Sequence, residues 1–466
     1  MGFYRFQNLK VKLIFSNMKL ASPNISACLS ITGNSPKHYL AALWVKLWRL
    51  LLCFMLILVM SGATGPGGEA KYIKRADVAF GLENYTLALE LYHKALELNP
   101  ENLQANYKAG YCYLELHEPK KAKVYLKKAY DISPNFSDYL IVFYLAEAHH
   151  QDYEFDQARA YYQQEMARTP RTDWPYIKYL QKRIDECAAG KALISKPSVA
   201  KVVNLGKGIN TSSSDYIPVF LPGDSTMLFT TRHKQAAKHG LLTYYEVLKY
   251  ALVKNSFWEV VASDLAAFKK EGHSLVNIGH NGQQVYTYHL SKGLHVAERT
   301  AHGWSDPKPL GYPFNEGEQN VSLYITPDNQ YAFFSSNRAG GLGGLDIYLT
   351  ARQPDGTWGP ALNLGPSVNT AYDDDAPYVD VVTHTLYFSS RGHNSMGGFD
   401  IFSSRLENGV WATAQNLGYP INSTHDDLYF VLNFSRTGAF FSSNRAGGFG
   451  EKDIYQVIFP SNTEVR

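Results

Sequence analysis

Four asparagines, Asn210, Asn315, Asn369 and Asn422, are each followed five residues later by a polar side chain: Asp215, Asn320, Asp374 and Asp427. Asp373, Asp375, Asp426, Glu316 and Glu318 lie beside them. Carboxylates recurring at one register, if gathered at one mouth of a fold, could ligate a divalent cation through oxygen or receive a basic peptide. A pair of them about 5–9.5 Å apart across a channel would suit a five-bladed glycosidase or a carbohydrate-binding protein. The competing reading, favoured because the residues recur with the repeat, is that each caps turn amides within its own unit. Other catalytic signatures are missing. Gly272-His-Ser-Leu-Val276 lacks the closing glycine of a nucleophile elbow, and His149-His150 and His280 lack the His-Glu-x-x-His spacing for zinc. No glycine-rich phosphate loop with a lysine occurs. The expectation is a protein that is not an enzyme and needs no cofactor, with metal binding at the carboxylates left open.

The elements that must position these residues repeat. Phe334-Ser-Ser-Asn-Arg338, Phe388-Ser-Ser-Arg391 and Phe441-Ser-Ser-Asn-Arg445 lie 54 and 53 residues apart, and Phe229-Thr-Thr-Arg232 lies 105 before the first. Asp346-Ile-Tyr348, Asp400-Ile-Phe402 and Asp453-Ile-Tyr455 follow their phenylalanines by 12, across glycine-rich turns where a hairpin can reverse. Trp258, Trp304, Trp358 and Trp411 open an outer strand that ends at Asn363-Leu-Gly365 or Asn416-Leu-Gly418 in the clear units. The last unit lacks that strand, while Asn204-Leu-Gly206 stands in register before the first unit. A ring has no open edge only if its ends pair, so 199–206 should close on 453–459 and make a five-bladed β-propeller over 198–460. The second blade is degenerate, with His295 where the others carry aspartate. Arg338, Arg391 and Arg445 should tie Asp346, Asp400 and Asp453, or nearby carbonyls.

A different period precedes the strands. Ala88, Tyr92, Ala95 and Pro100 recur as Ala122, Leu126, Ala129 and Pro134 and then as Ala158, Tyr162, Glu165 and Pro170, spacings of 34 and 36. Each helical pattern stops at its proline. This resembles the tetratricopeptide repeat, three copies with a capping helix over 173–189, which implies an α-solenoid domain over 71–190 whose first helices line a concave groove. The resemblance places Asp77, Phe80, Tyr107, Tyr111, Phe143, Glu147 and His150 there, an aromatic and slightly acidic surface for a peptide or protein. The alternative is that Phe80, Tyr107 and Phe143 are core residues and the stack only spaces the next domain. His150 is expected at the surface.

The Phe-Ser-Ser-Asn-Arg, Gly-Gly, Asp-Ile-Tyr pattern is similar to the WD-repeat-like propeller of TolB-like periplasmic proteins. Tetratricopeptide repeats followed by a propeller resemble envelope proteins of the type IX secretion and OmpA-associated group. That resemblance implies a bacterial envelope scaffold, and the sequence shows no OmpA-like domain after the propeller.

Composition agrees with a multidomain α + β chain. Among 466 residues, 45% are hydrophobic and 14% aromatic, and the net charge of +3 gives no electrostatic footprint for nucleic acid. The apolar run Leu50 to Met60, with Lys46 and Arg49 before it and Ser61-x-Ala63 or Gly68-x-Ala70 after it, is too short to span a bilayer and reads as a secretory signal within a 1–70 presequence. The long segment before it suggests a true start downstream, for instance Met18. The expectation is export to the periplasm, with possible outer-membrane association, no membrane span after cleavage, a linker over 191–197 and a tail over 461–466. Cys112 and Cys187 should be buried small hydrophobes, not a bridge.

Overall fold

The computed structural model describes residues 68–460 except 135–139, 222, 237–241, 255–256, 262–267, 269–271, 280 and 318. The presequence, its apolar run and the tail lie outside the described residues, as does Glu318.

Seven helices come first among the described residues: α1 (Glu69–Gly81), α2 (Tyr85–Leu98), α3 (Leu103–Glu115), α4 (Pro119–Ile132), α5 (Ile141–Gln151), α6 (Phe155–Arg168) and α7 (Trp174–Ser195). They pair as three hairpins, α1 with α2, α3 with α4 and α5 with α6, and α7 caps the stack on α6. Small residues set the spacing. Ala88, Ala95, Ala122, Ala129 and Ala158 are fully buried, and a Cβ at Gly110 would sit 2.5 Å from Leu126 Cγ. Asn84, Asn102 and Asp173 cap α2, α3 and α7 by accepting from Leu87, Ala105 and Tyr176 N–H. The turn inside each hairpin carries a non-glycine residue in the left-handed region: Glu83 (φ 59°), His117 (φ 56°) and Tyr153 (φ 61°). The segment read as a linker is helical as far as Ser195, so α7 runs almost directly into the first strand.

Five antiparallel sheets follow. Their innermost strands are Ser214–Phe220, His273–Ile278, Asn320–Ile325, Asp374–Asp380 and Asp427–Leu432. Blade five is completed by the strand Lys201–Asn204, which pairs with Asp453–Ile458 in the register Lys201 to Ile458 through Asn204 to Tyr455. The ring is thus closed by the start of the β region, as the displaced Asn-Leu-Gly implies. Blades three, four and five each stack an aromatic pair, Phe334 on Tyr348, Phe388 on Phe402 and Phe441 on Tyr455, and pack it against the preceding blade. Every innermost strand breaks register once, between Tyr216 and Val219, Leu275 and Asn277, Asn320 and Leu323, Asp375 and Tyr378, and Leu428 and Val431. These bulges bend the strands where they crowd the axis.

The stack and the propeller belong to one compact unit. Met396, in the turn before Asp400, is fully buried in the helical core with Phe155, Leu180 and Cys187. Around it Thr424 Oγ1 donates to Gln151 O at 3.1 Å, and the Tyr153 and Tyr419 rings meet at 5.8 Å. The stack therefore sits on the face at which the innermost strands begin, the leading face, against blades four and five.

Candidate functional site

Asp215, Asn320, Asp374 and Asp427 stand at the start of four innermost strands, where the repeat places them, and none is more than 4% exposed. Each is engaged inside its own blade. Asp215 accepts from Thr211 N–H, Thr211 Oγ1 and Thr231 Oγ1. Asp374 accepts from Thr370 N–H, Thr370 Oγ1 and Ser390 Oγ, and Asp427 from Ser423 N–H, Ser423 Oγ and Arg445. Asn320 Oδ1 faces Arg338 at 3.4 Å. Burial pushes the Asp374 carboxyl up to about 7 against the opposing bonds from Ser390 and Thr370. Burial also raises Asp427, and Arg445 opposes it.

The remaining repeated polar residues are engaged in the same way. Asp346, Asp400 and Asp453 cap the glycine-rich turns, accepting from the N–H groups of Leu342, Met396 and Phe449. They also accept from Asn363, Asn416 and Asn204 of the Asn-Leu-Gly strand ends. Asn210, Asn369 and Asn422 each bond both the N–H and the C=O of one third-strand isoleucine, Ile454, Ile347 and Ile401. In the degenerate second blade Asn315 does the same with Leu294. The first hydroxyl of the motif after phenylalanine bridges blades: Thr230 Oγ1 takes Leu275 N–H, Ser442 Oγ takes Ile217 N–H, and Ser335 Oγ donates to Asp375.

The arginines bond carbonyls, as one of the two expectations has it, at Arg338 to Pro313 O and at Arg445 to Pro420 O and Ile421 O, and their carboxylate partners are not Asp346, Asp400 and Asp453. Arg445 pairs with Asp427 at 2.6 Å and Arg391 with Asp426 at 3.0 Å, while Arg338 bonds Pro313 O and lies 3.8 Å from Glu316. They hold the loop that leads into the innermost strand, while Asp346, Asp400 and Asp453 are engaged by turn amides and asparagines.

Among the described residues no group of three or more His, Cys, Asp or Glu side chains is arranged to hold a metal ion. A cavity of about 240 Å³ opens at the trailing end of the channel, lined by Ile217, Leu323, Tyr378 and Val431, with the Asp380 to Arg436 pair (2.9 Å) beside it.

In the stack, the seven groove residues fall into two halves. Phe80 and Tyr107 are part-exposed, and Tyr111 is buried between them; Phe80 and Tyr111 rings lie 5.1 Å apart, and Tyr144 joins Tyr111 at 4.8 Å and Tyr107 at 5.9 Å. Asp77 accepts from Tyr92 OH and Lys108 Nζ, both at 2.7 Å, and from Gln104 at 2.8 Å. Phe143 is buried against Tyr176 and Tyr179 of α7. Glu147 takes a two-pronged bond from Arg183 of α7, at 2.9 and 3.0 Å, and one from Tyr162 OH. His150, expected at the surface, is fully buried, and its Nε2 donates to Met396 O at 2.8 Å. The first two repeats therefore keep an accessible aromatic surface, and the third is occupied by α7 and the propeller.

Residues missed from sequence are those of the seam: Arg183, His117, Tyr153, Met396, Tyr419 and His425. One signal was present. Met396 stands where blades three and five carry Leu342 and Phe449, which are 49% and 42% exposed, yet a repeat alignment treats all three as turn residues.

Residues 73–135 match the tetratricopeptide repeat family. No curated protein matches the chain. Among solved structures, the Arabidopsis OM64 TPR domain is 18% identical over 24% of this chain and 94% of that one, with a TM-score of 0.22. MamA protein is 18% identical, covering 28% and 66%, with a TM-score of 0.24. YrrB, described as a TPR protein with an unusual peptide-binding site, is 23% identical, covering 27% and 61%, with a TM-score of 0.23.

Proposed function

We propose that this chain is a non-catalytic scaffold of the bacterial cell envelope, exported to the periplasm, that grips a peptide or protein in its helical groove and a second partner on its propeller. The observation that carries the reading is the contrast between the two sets of candidate residues. The polar residues repeated through the propeller are consumed in capping and bridging blades, whereas Phe80 and Tyr107 present partly exposed rings beside Asp77. An aromatic floor, with the Asp77 carboxylate already paired to Lys108, suits a peptide carrying apolar side chains. The match of 73–135 to the tetratricopeptide repeat supports a binding role for this same region. Export rests on the Leu50 to Met60 run and its flanking residues. The TolB-like and OmpA-associated likeness rests on the propeller motif and the order of the two repeats. Among the described residues no helix is long and apolar enough to cross a membrane.

Affinity purification of the native exported protein with mass spectrometry tests the scaffold reading; the expected result is stoichiometric envelope partners and no turnover of sugars. N-terminal sequencing should begin just after Ala63 or Ala70. A native protein beginning at Met1 or Gly2 contradicts the export reading.

A further inference from the structure

The seam between stack and propeller contains three histidines drawn from both sides. His117 comes from the turn between α3 and α4, His150 from the end of α5, and His425 from the loop entering blade five. The His117 and His425 rings meet edge to face at 5.3 Å, and His117 Nδ1 and His425 Nε2 are buried without a partner. His425 Nδ1 faces Thr424 Oγ1 at 3.3 Å. The tautomer of His150 is fixed by its surroundings. A backbone carbonyl can only accept, so Nε2 carries the proton donated to Met396 O, and Nδ1 must accept from the Arg183 guanidinium at 3.1 Å. Tyr162 OH and Cys187 Sγ stand at 3.3 and 3.7 Å from the same nitrogen.

From this arrangement we propose that the seam is an acid-sensitive joint, in which protonation of His117, His150 and His425 releases the helical stack from the leading face of the propeller. A second proton on His150 would point an N–H at the Arg183 guanidinium. Protonation of the His117 and His425 pair would set two cations against each other where neither has a counter-ion in contact.

The charged surroundings are mixed. Lys452 and Lys234 face His117, as do Asp426 and Glu451. Arg445 and Arg183 face His425, with Asp426 opposing, and Arg183 and Lys182 face His150. Burial is the largest effect on all three, and it lowers His117 to about 4, His425 to about 3 and His150 well below its ordinary value. Asp426 is ionised and raises both His117 and His425, but by less than burial lowers them. Burial alone would raise it, but Arg391, Lys452 and the Phe399 N–H outweigh that and hold its carboxyl well below the ordinary range.

The sign follows from linkage. The closed seam binds fewer protons than the open one between the lowered values and the ordinary histidine value of about 6.5, so closure is intact at neutral pH and weakens as pH falls below about 6.5. Each histidine multiplies the opening equilibrium by about 30 at pH 5 relative to pH 7.5, and all three together by about 3 × 10⁴.

Hydrogen exchange on the full chain at pH 7.5 and 5.0, corrected for intrinsic exchange, tests this. Peptides covering Ile141–Gln151 and Asp400–Glu407 should lose protection at least 30-fold more than Tyr331–Ser336 of blade three, a strand in a blade without histidine. Equal losses in the three peptides overturn the proposal without any variant. The paired substitution His117→Asn with His425→Gln should leave only the roughly 30-fold dependence due to His150, and an unchanged acid response in that variant also overturns it.

Discussion

In the helical stack the recurring positions are apolar, with Ala88, Ala122 and Ala158 at one register and Tyr92, Leu126 and Tyr162 four residues later, all fully buried. In the propeller the recurring positions include many polar residues, and these are buried too, among them Asp374, Asp427, Asn369 and Asn422. The difference follows from backbone accounting. A helix satisfies its own amides except at its ends, so its repeat need specify only close packing, and the groove residues can vary with the partner. A blade leaves turn amides, strand ends and bulged segments to be satisfied by side chains, so its repeat must specify aspartate, asparagine and serine. A polar residue that recurs with a β repeat is therefore weak support for chemistry. One that departs from the repeat, as His425 does, carries more.

Substitutions can break this comparison. The largest effect is expected at Asn422, whose removal as Asn422→Ala leaves the buried N–H of Ile401 unpaired, while the Ile401 carbonyl keeps its bond from Leu417 N–H; about 2–3 kcal/mol should be lost in urea unfolding. A loss below about 1 kcal/mol would mean that the repeated polar residues are not structural. Met396→Ala should cost about 2–3 kcal/mol through a cavity in the helical core, whereas Leu342→Ala at the equivalent turn should stay within about 0.5 kcal/mol. Similar effects at the two positions would remove the distinction between a docked turn and an exposed one.

Asp374 gives a smaller, pH-dependent effect. Its folded value near 7 lies above the unfolded one near 3.8, so the folded state holds a proton the unfolded state has lost over that window. The contribution of this group to stability therefore falls as pH rises from about 4 to 7. Asp374→Asn should remove that slope in a series of thermal melts. The smallest effect is expected at Glu83→Gly, which relieves a left-handed backbone in a solvent-exposed turn and should raise the midpoint by a degree or two, about 0.5 kcal/mol after the entropy cost of glycine.

Much of this architecture was legible because both repeats have fixed periods. Five blades and the closing strand at Lys201–Asn204 follow from spacing, and the three helical hairpins from the resemblance to the tetratricopeptide repeat that the second period carries. The carboxylate partners of the arginines were not legible, since spacing showed Arg445 and Asp453 in the same blade but could not show that Asp453 was already filled by Phe449 N–H and Asn204. Nor was the third-repeat groove, because helical periodicity places Glu147 and His150 on one face without revealing that Arg183 and Met396 cover it. The helix through Ser195 was hidden by a lysine- and serine-bearing stretch that reads as polar linker, yet the absence of proline before Pro197 allowed α7 to continue.

The central claim is that the first two helical repeats, not the channel carboxylates, hold the partner. Its most direct test is affinity capture from native cell extract with three forms side by side: the wild type, Asp77→Lys with Tyr107→Ala, and Asp374→Asn, each checked for unchanged circular dichroism. The account predicts that the groove variant loses the partner held by the helical stack while keeping any held by the propeller, and that Asp374→Asn retains both. Retention by the groove variant with loss by Asp374→Asn would contradict it.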